Sequence, residues 1–189
     1  MRIKVNEIDD KSIEFTLSNT TIAFANAVRR ICMNSVPTFA IESVTMYENS
    51  SSFFDEYVTN RLGLIPLKTP SDYTEKDEAV LSLDVEGPCV VYSKDFKSSD
   101  SKIKPAYDKI PVLRLLERQK LRLEAKAVLS TSRKHAKYQA SLAGYKITKD
   151  GDIIFTLESF GQMSPNDILT KAAQILETKC DEFKKQLEE

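Results

Sequence analysis

The spacing of apolar positions changes period several times along the chain, and each change marks an element. Between residues 22 and 32, Ile22, Ala23, Phe24, Ala25, Ala27, Val28, Ile31 and Cys32 occupy most of a helical circumference. They leave Asn26, Arg29 and Arg30 together at i, i+3, i+4 spacing. A helix apolar nearly all round is expected to be covered on several sides. The oxygens of Ser18, Asn19 and Thr20 are placed to cap its start, and Pro37 ends it by pushing Val36 towards extended geometry. Two strand-like runs precede it, at 2–7 and 12–17, separated by the turn-forming Asp9-Asp10-Lys11.

After Pro37 the run 38–48 puts Phe39 and Ile41 in one phase and Val44 and Met46 in the other, which suggests a bend or bulge in a long strand. A polar break at 49–52 leads to a helix at about 53–62, with Gly63 in the place of a C-terminal cap. The apolar Leu64-Ile65-Pro66-Leu67 reads as a buried connector, and the charged, Pro- and Ser-containing 68–78 as an exposed change of organisation. Strands are expected at 79–85 and 89–93, a solvated loop at 94–109, and either helix or strand at 110–116. Leu121, Leu123, Ala125, Ala127 and Leu129 alternate with mostly charged neighbours, which is the period of a half-buried strand. Runs at 145–148 and 153–158 bracket Asp150-Gly151, a hairpin signal.

Ser164-Pro165 opens the last helix, serine as cap and proline in the first helical position. From there Leu169, Ala173, Leu176, Cys180, Phe183 and Leu187 recur at alternating spacings of four and three, a coiled-coil-like seam. A second apolar row, Ile168, Ala172 and Ile175, lies beside it. A helix with two such rows can face its own sheet with one and another chain with the other.

Composition narrows the function classes. The 189 residues carry a formal net charge of −1, against a general nucleic-acid binder, whose affinity rests on a basic surface. No apolar run reaches the roughly 20 residues of a bilayer span, and the N-terminus enters a strand pattern at once, so an intracellular, cytoplasmic protein is expected. Cys32, Cys89 and Cys180 stand far apart, unlike a disulfide framework or a metal site. The single histidine, His135, sits in a basic stretch with Arg133, Lys134 and Lys137. Catalysis there needs an orienting carboxylate and a nucleophile or metal, and the neighbouring sequence offers neither. Solvation, or docking on an acidic protein or nucleic-acid surface, remains for that stretch. The two guanidinium groups beside Asn26 suit forked hydrogen bonds to carboxylates or carbonyls of another chain.

Taken together, Phe24-Ala25-Asn26-Ala27-Val28-Arg29-Arg30 with Val36-Pro37-Thr38 and Ile41-Glu42, then Asn60-Arg61-Leu62-Gly63-Leu64-Ile65-Pro66-Leu67, then His135-Ala136-Lys137-Tyr138, resemble the pattern of the D subunit of archaeal RNA polymerase in order and spacing. The resemblance covers essentially the whole chain. It implies a non-catalytic assembly subunit related to the N-terminal domain of the bacterial alpha subunit. The implied fold is α+β: a discontinuous dimerisation domain of a sheet plus two long helices, at 1–48 and 142–189, with a mainly β domain inserted at 49–141. The implied partners are subunit L in a heterodimer, subunits N and P beside it, and the two largest subunits assembled on that platform.

Carried over by motif, the face towards subunit L comprises Phe24, Val28, Leu169, Ala173, Leu176, Cys180, Phe183 and Leu187. The face towards the large or platform subunits comprises Asn26, Arg29, Arg30, Arg61, Arg133, His135 and Lys137. The chain departs from the pattern in lacking the inserted cysteines that hold an iron–sulfur cluster in some members, so a short form with no cofactor or metal is expected. Ser130, Ser132, Tyr138 and Ala140 replace more usual glycine, tryptophan and proline around the histidine loop. The alternative readings are a self-pairing alpha-like scaffold and a nucleic-acid adaptor using Arg133, Lys134 and Lys137. With five glycines, none in a phosphate-binding pattern, an enzyme reading stands third.

Overall fold

The computed structural model describes residues 1–74 and 76–188 and divides the chain into two compact units, residues 1–37 with 131–189, and residues 38–130. The class is α+β. The boundaries fall about ten residues earlier at each crossing than the 48/49 and 141/142 expected from sequence. The reason is strand pairing: the long strand that begins at Thr38 bonds along its length to the one ending at Ser130. It therefore belongs to the inserted sheet, not to the discontinuous domain.

In the discontinuous unit, strands β1 (Arg2–Ile8) and β2 (Ser12–Ser18) form the expected hairpin, and helix α1 (Ile22–Asn34) follows. Thr21 caps that helix, its hydroxyl accepting from the Phe24 N–H at 3.2 Å, so the cap lies one residue beyond the three candidates 18–20. Within the inserted unit lie β3 (Thr38–Asn49), α2 (Asp55–Gly63), β4 (Glu78–Glu86), β5 (Cys89–Tyr92), β6 (Lys97–Ser98), β7 (Pro111–Leu115) and β8 (Lys120–Ser130). The chain then completes the first unit with β9 (Ser141–Ile147), β10 (Ile153–Ser159) and α3 (Pro165–Glu188).

The inserted unit is a four-stranded sheet, β3-β8-β4-β6, with a β5-β7 ribbon and α2. Strand β8 alternates as its sequence requires, Leu121, Leu123, Ala125, Ala127 and Leu129 buried and Arg122, Glu124 and Lys126 exposed. Register shifts in β3 at Ile41/Ser43 and Met46/Glu48 are the expected bulge, and they turn Val44 and Met46 onto the core that Phe39 and Ile41 enter. Helix α2 ends at Gly63 with the Leu64 N–H bonded back to the helix, and Gly63 is not in the left-handed conformation expected of a glycine cap. The 94–109 stretch is less solvated than its charge suggested, since Phe96 and Ile103 are buried.

The discontinuous unit is a four-stranded sheet ordered β1-β2-β10-β9, with α1 and α3 packed on one face. Phe15 and Phe155 are opposite one another on β2 and β10 and stack with centroids 5.0 Å apart. Such a pair adds about 1 kcal/mol beyond the area it buries. Ala25, Ile31 and Cys32 of α1 and Ile168 and Ala172 of α3 close this core. Asp150-Gly151 makes the expected turn, with Gly151 at φ +83°. Ser164 caps α3 by accepting from the Asp167 N–H at 3.1 Å, with Pro165 in the first turn.

Candidate partner-docking face

The two apolar rows of α3 have different environments. Ile168 and Ala172 are buried on the sheet and Ile175 is half-buried, so this row holds the helix to its own unit. The neighbouring row is largely uncovered: Leu169 and Leu176 are half-buried, and Ala173, Cys180, Phe183 and Leu187 are exposed. Phe183 and Leu187 keep 65% and 71% of their surface. They lie on the second half of a 24-residue helix of which no residue after Leu176 is buried among the described residues.

The sheet continues this open surface. Ile3 and Val5 on β1 stand opposite Leu17 and Phe15 on β2, and directly paired residues share a face of the sheet. Yet Ile3 and Val5 are 61% and 53% exposed where Leu17 and Phe15 are 2% and 6%. The helical layer covers β2 and stops short of β1. Between them runs a groove of about 320 Å³ lined by Met1, Ile3, Val5, Phe24, Val28, Leu169 and Ala173 among others. Helix α1 is thus covered chiefly on one side, through Ala25, Ile31 and Cys32, rather than on several. Phe24 and Val28, half-buried, form a wall of the groove. The β1 side chains were not singled out from sequence, because apolar alternation in a strand has the same signature whether or not a helix lies over it.

The polar stripe of α1 is divided. Asn26 Oδ1 accepts from Arg29 Nε at 3.2 Å and Nη2 at 3.0 Å, and Arg29 Nη1 reaches Met33 Sδ at 3.6 Å. Asn26 and Arg29 are therefore bonded to each other on their own helix, half-buried, and Arg30 alone of the stripe projects as an exposed cation. Arg30 shares an open cleft of about 540 Å³ with Arg133 and Lys179. His135 is exposed and its Nδ1 accepts from the Lys137 N–H at 3.0 Å, capping the tight turn that buries Tyr138. Lys137 Nζ lies 5.3 Å from the centre of the Tyr138 ring.

Arg61, in the inserted unit, is tied inward. Its Nη2 donates to the Pro111 carbonyl at 2.6 Å, and its guanidinium lies 5.9 Å from the Tyr57 ring. It braces α2 against β7 more than it offers an outward charge. Phe53 and Tyr57 stack with centroids 4.9 Å apart beside Phe54, which is 69% exposed. Cys32 is buried, which pushes its thiol up to about 12, while Cys89 is half-buried and Cys180 exposed. Among the described residues no group of three His, Cys, Asp or Glu side chains is placed to hold a metal ion, and no helix is long and apolar enough to cross a membrane.

A sheet-and-helix unit that leaves a helical seam and a strand face of apolar side chains open has the architecture of an association domain. Residues 14–180 match the family described as the RNA polymerase Rpb3/Rpb11 dimerisation domain. The DNA-directed RNA polymerase subunit Rpo3 of Methanocaldococcus jannaschii is 43% identical over 176 residues, covering 93% of this chain and 91% of that one. That of Pyrococcus horikoshii is 43% identical over 153 residues, 77% of this chain and 59% of the relative, and that of Natronomonas pharaonis is 38% identical over 174 residues, 90% and 70%. The chain belongs to this RNA polymerase family, in its archaeal Rpo3 branch.

Proposed function

We propose that this chain is the assembly subunit of an archaeal RNA polymerase, and that a second chain, subunit L, completes its discontinuous unit. The observation that carries the reading is the apolar row of α3, open from Leu169 to Leu187 and continuous with the groove beneath β1. Leu169, Ala173, Leu176, Cys180, Phe183 and Leu187, with Phe24 and Val28, supply the seat, and Met1, Ile3 and Val5 extend it. A helix of the partner laid in this groove would cover β1 and the free half of α3 together. Affinity then comes from removing these side chains from water, about 25 cal/mol for each Å² of apolar surface, less the cost of ordering the pair.

In the assembled enzyme, subunits N and P join the pair, and the two largest subunits assemble on the platform so formed. Its work is association and geometry, carried out in the cytoplasm. The basic positions Arg30, Arg133, His135 and Lys137 are reserved for those later contacts, while Asn26, Arg29 and Arg61 shape the surface from within. The test is co-expression with the cognate subunit L, one chain carrying an affinity tag. A 1:1 complex is expected that Leu176→Asp and Phe183→Asp each abolish, with circular dichroism of the free chain unchanged. A homodimer that excludes L would replace this reading with self-pairing.

A further inference from the structure

The two units differ in what each needs before it can close. Residues 38–130 are one continuous stretch whose buried core is formed by its own side chains, Phe39, Leu62, Leu81, Leu123 and Leu129 among them. Its first and last residues are neighbours: Thr38 stands directly opposite Ser130, and Phe39 opposite Leu129, on the β3–β8 pair. The discontinuous unit comes instead from two stretches separated by about ninety residues of chain. Residues 1–37 supply β1, β2 and α1, and residues 131–189 supply β9, β10 and α3. Neither stretch closes a core alone. Strand β2 pairs with β10, and Phe15 stacks on Phe155. The Met33 and Cys32 carbonyls at the end of α1 accept from Ser132 Oγ at 2.8 Å and Ser141 Oγ at 3.0 Å. A two-stranded hairpin by itself is marginal in water, so residues 1–37 wait for the second stretch.

We propose that residues 38–130 fold first and act as a clasp: the pairing of Thr38 with Ser130 draws residues 37 and 131 together, and the discontinuous unit with its open apolar face closes only afterwards. The consequence for pairing rests on the reading above that this face seats subunit L. Joining two ends across a disordered loop is penalised roughly as the three-halves power of its length, about a thousandfold for ninety residues. A folded insert whose ends are paired removes that factor, because the two outer stretches then meet as if joined by a short turn. The order also follows the chain. Residues 1–37 emerge without their partners, residues 38–130 complete a unit, and residues 131–189 arrive with β2 and α1 already at hand. The inserted unit thus governs the seat through the chain connections at 37/38 and 130/131, while the groove itself is lined from the discontinuous unit.

Pulse-labelled hydrogen exchange during refolding of the full chain from urea reads the order without any partner. Amides of β3 and β8 should gain protection about tenfold sooner than those of β2 and β10. Protection of both units in one step, or of β2 and β10 first, overturns the proposal. The second arm measures pairing with subunit L. Leu123→Asp puts a carboxylate where the side chain is 1% exposed and unfolds the inserted unit, and pairing of the full chain should weaken about a thousandfold. Thr38→Cys with Ser130→Cys, added to that chain, joins directly opposed positions within reach of a disulfide. Oxidation should restore pairing and reduction should abolish it again. Pairing at wild-type strength by Leu123→Asp with β3 and β8 exchanging freely, or an oxidised cross-link that restores nothing, overturns the proposal. Failure of the wild-type chain to pair with L is a separate result: it refutes the reading of the seat, and the refolding order still decides the clasp.

Discussion

Phe183 separates folding from association. It lies on α3 with 65% of its surface open and no place in the core of its unit. Truncation to alanine removes little that the free chain uses, so its stability should change by no more than about 0.5 kcal/mol. In the paired state the open part of the ring is covered. Full burial of phenylalanine is worth up to about 3 kcal/mol, and 65% of that is about 2 kcal/mol, or about 30-fold in Kd. Phe155→Ala is the opposite control: that ring is fully buried and stacked on Phe15, and its loss should cost about 3–5 kcal/mol of folding stability. Urea denaturation of the free chain and titration calorimetry with subunit L read the two quantities separately. Phe183→Ala that lowers the urea midpoint substantially, or that leaves Kd within about twofold, would refute the assignment of this side chain to the interface.

Three further outcomes follow from single groups. A maleimide should label the exposed Cys180 quickly in the free chain and slowly in the complex, while Cys32, buried with its thiol pushed up to about 12, stays unlabelled in both. The hydrogen bond from Tyr73 to the Asp100 carboxylate, aided by burial and the charge of Asp100, raises the phenol to about 12. Because the folded value lies above the unfolded one of about 10, its stabilisation is complete below pH 10 and is lost as pH rises towards 12, so Tyr73→Phe should flatten the alkaline limb of the melting profile. A methyl group on Gly87 would lie 2.1 Å from the Leu116 carbonyl oxygen and 2.9 Å from Leu115 Cβ, so Gly87→Ala should cost about 1–3 kcal/mol in urea denaturation.

What could be read from the sequence was mostly local. The two rows of α3, the bulge in β3, the Asp150-Gly151 hairpin and the Ser164-Pro165 start each depend on periods or turn chemistry within a few residues. The misplaced domain boundary depended on β3 finding β8, about eighty residues away, a pairing that no local period encodes. The same limit hid the exposure of Ile3 and Val5, since their alternation describes the strand and not whether a helix lies above it. Charge patterns were legible as clusters but not as states. Asn26, Arg29 and Arg30 share a stripe, yet side-chain geometry pairs the first two and leaves the third free. Arg61 had the spacing of a surface residue on α2, and only the fold brings the Pro111 carbonyl within its reach.

Amide hydrogen exchange, on the chain alone and bound to subunit L, tests the central claim most directly. In the free chain, residues 177–188 of α3 and 2–8 of β1 should exchange fast, because neither segment is buried. On pairing, both segments should become protected together, with little change in residues 38–130. Protection confined to the inserted unit, with the α3 and β1 segments still exchanging at their free rates, would contradict the claim that the open apolar face of the discontinuous unit is where the partner binds.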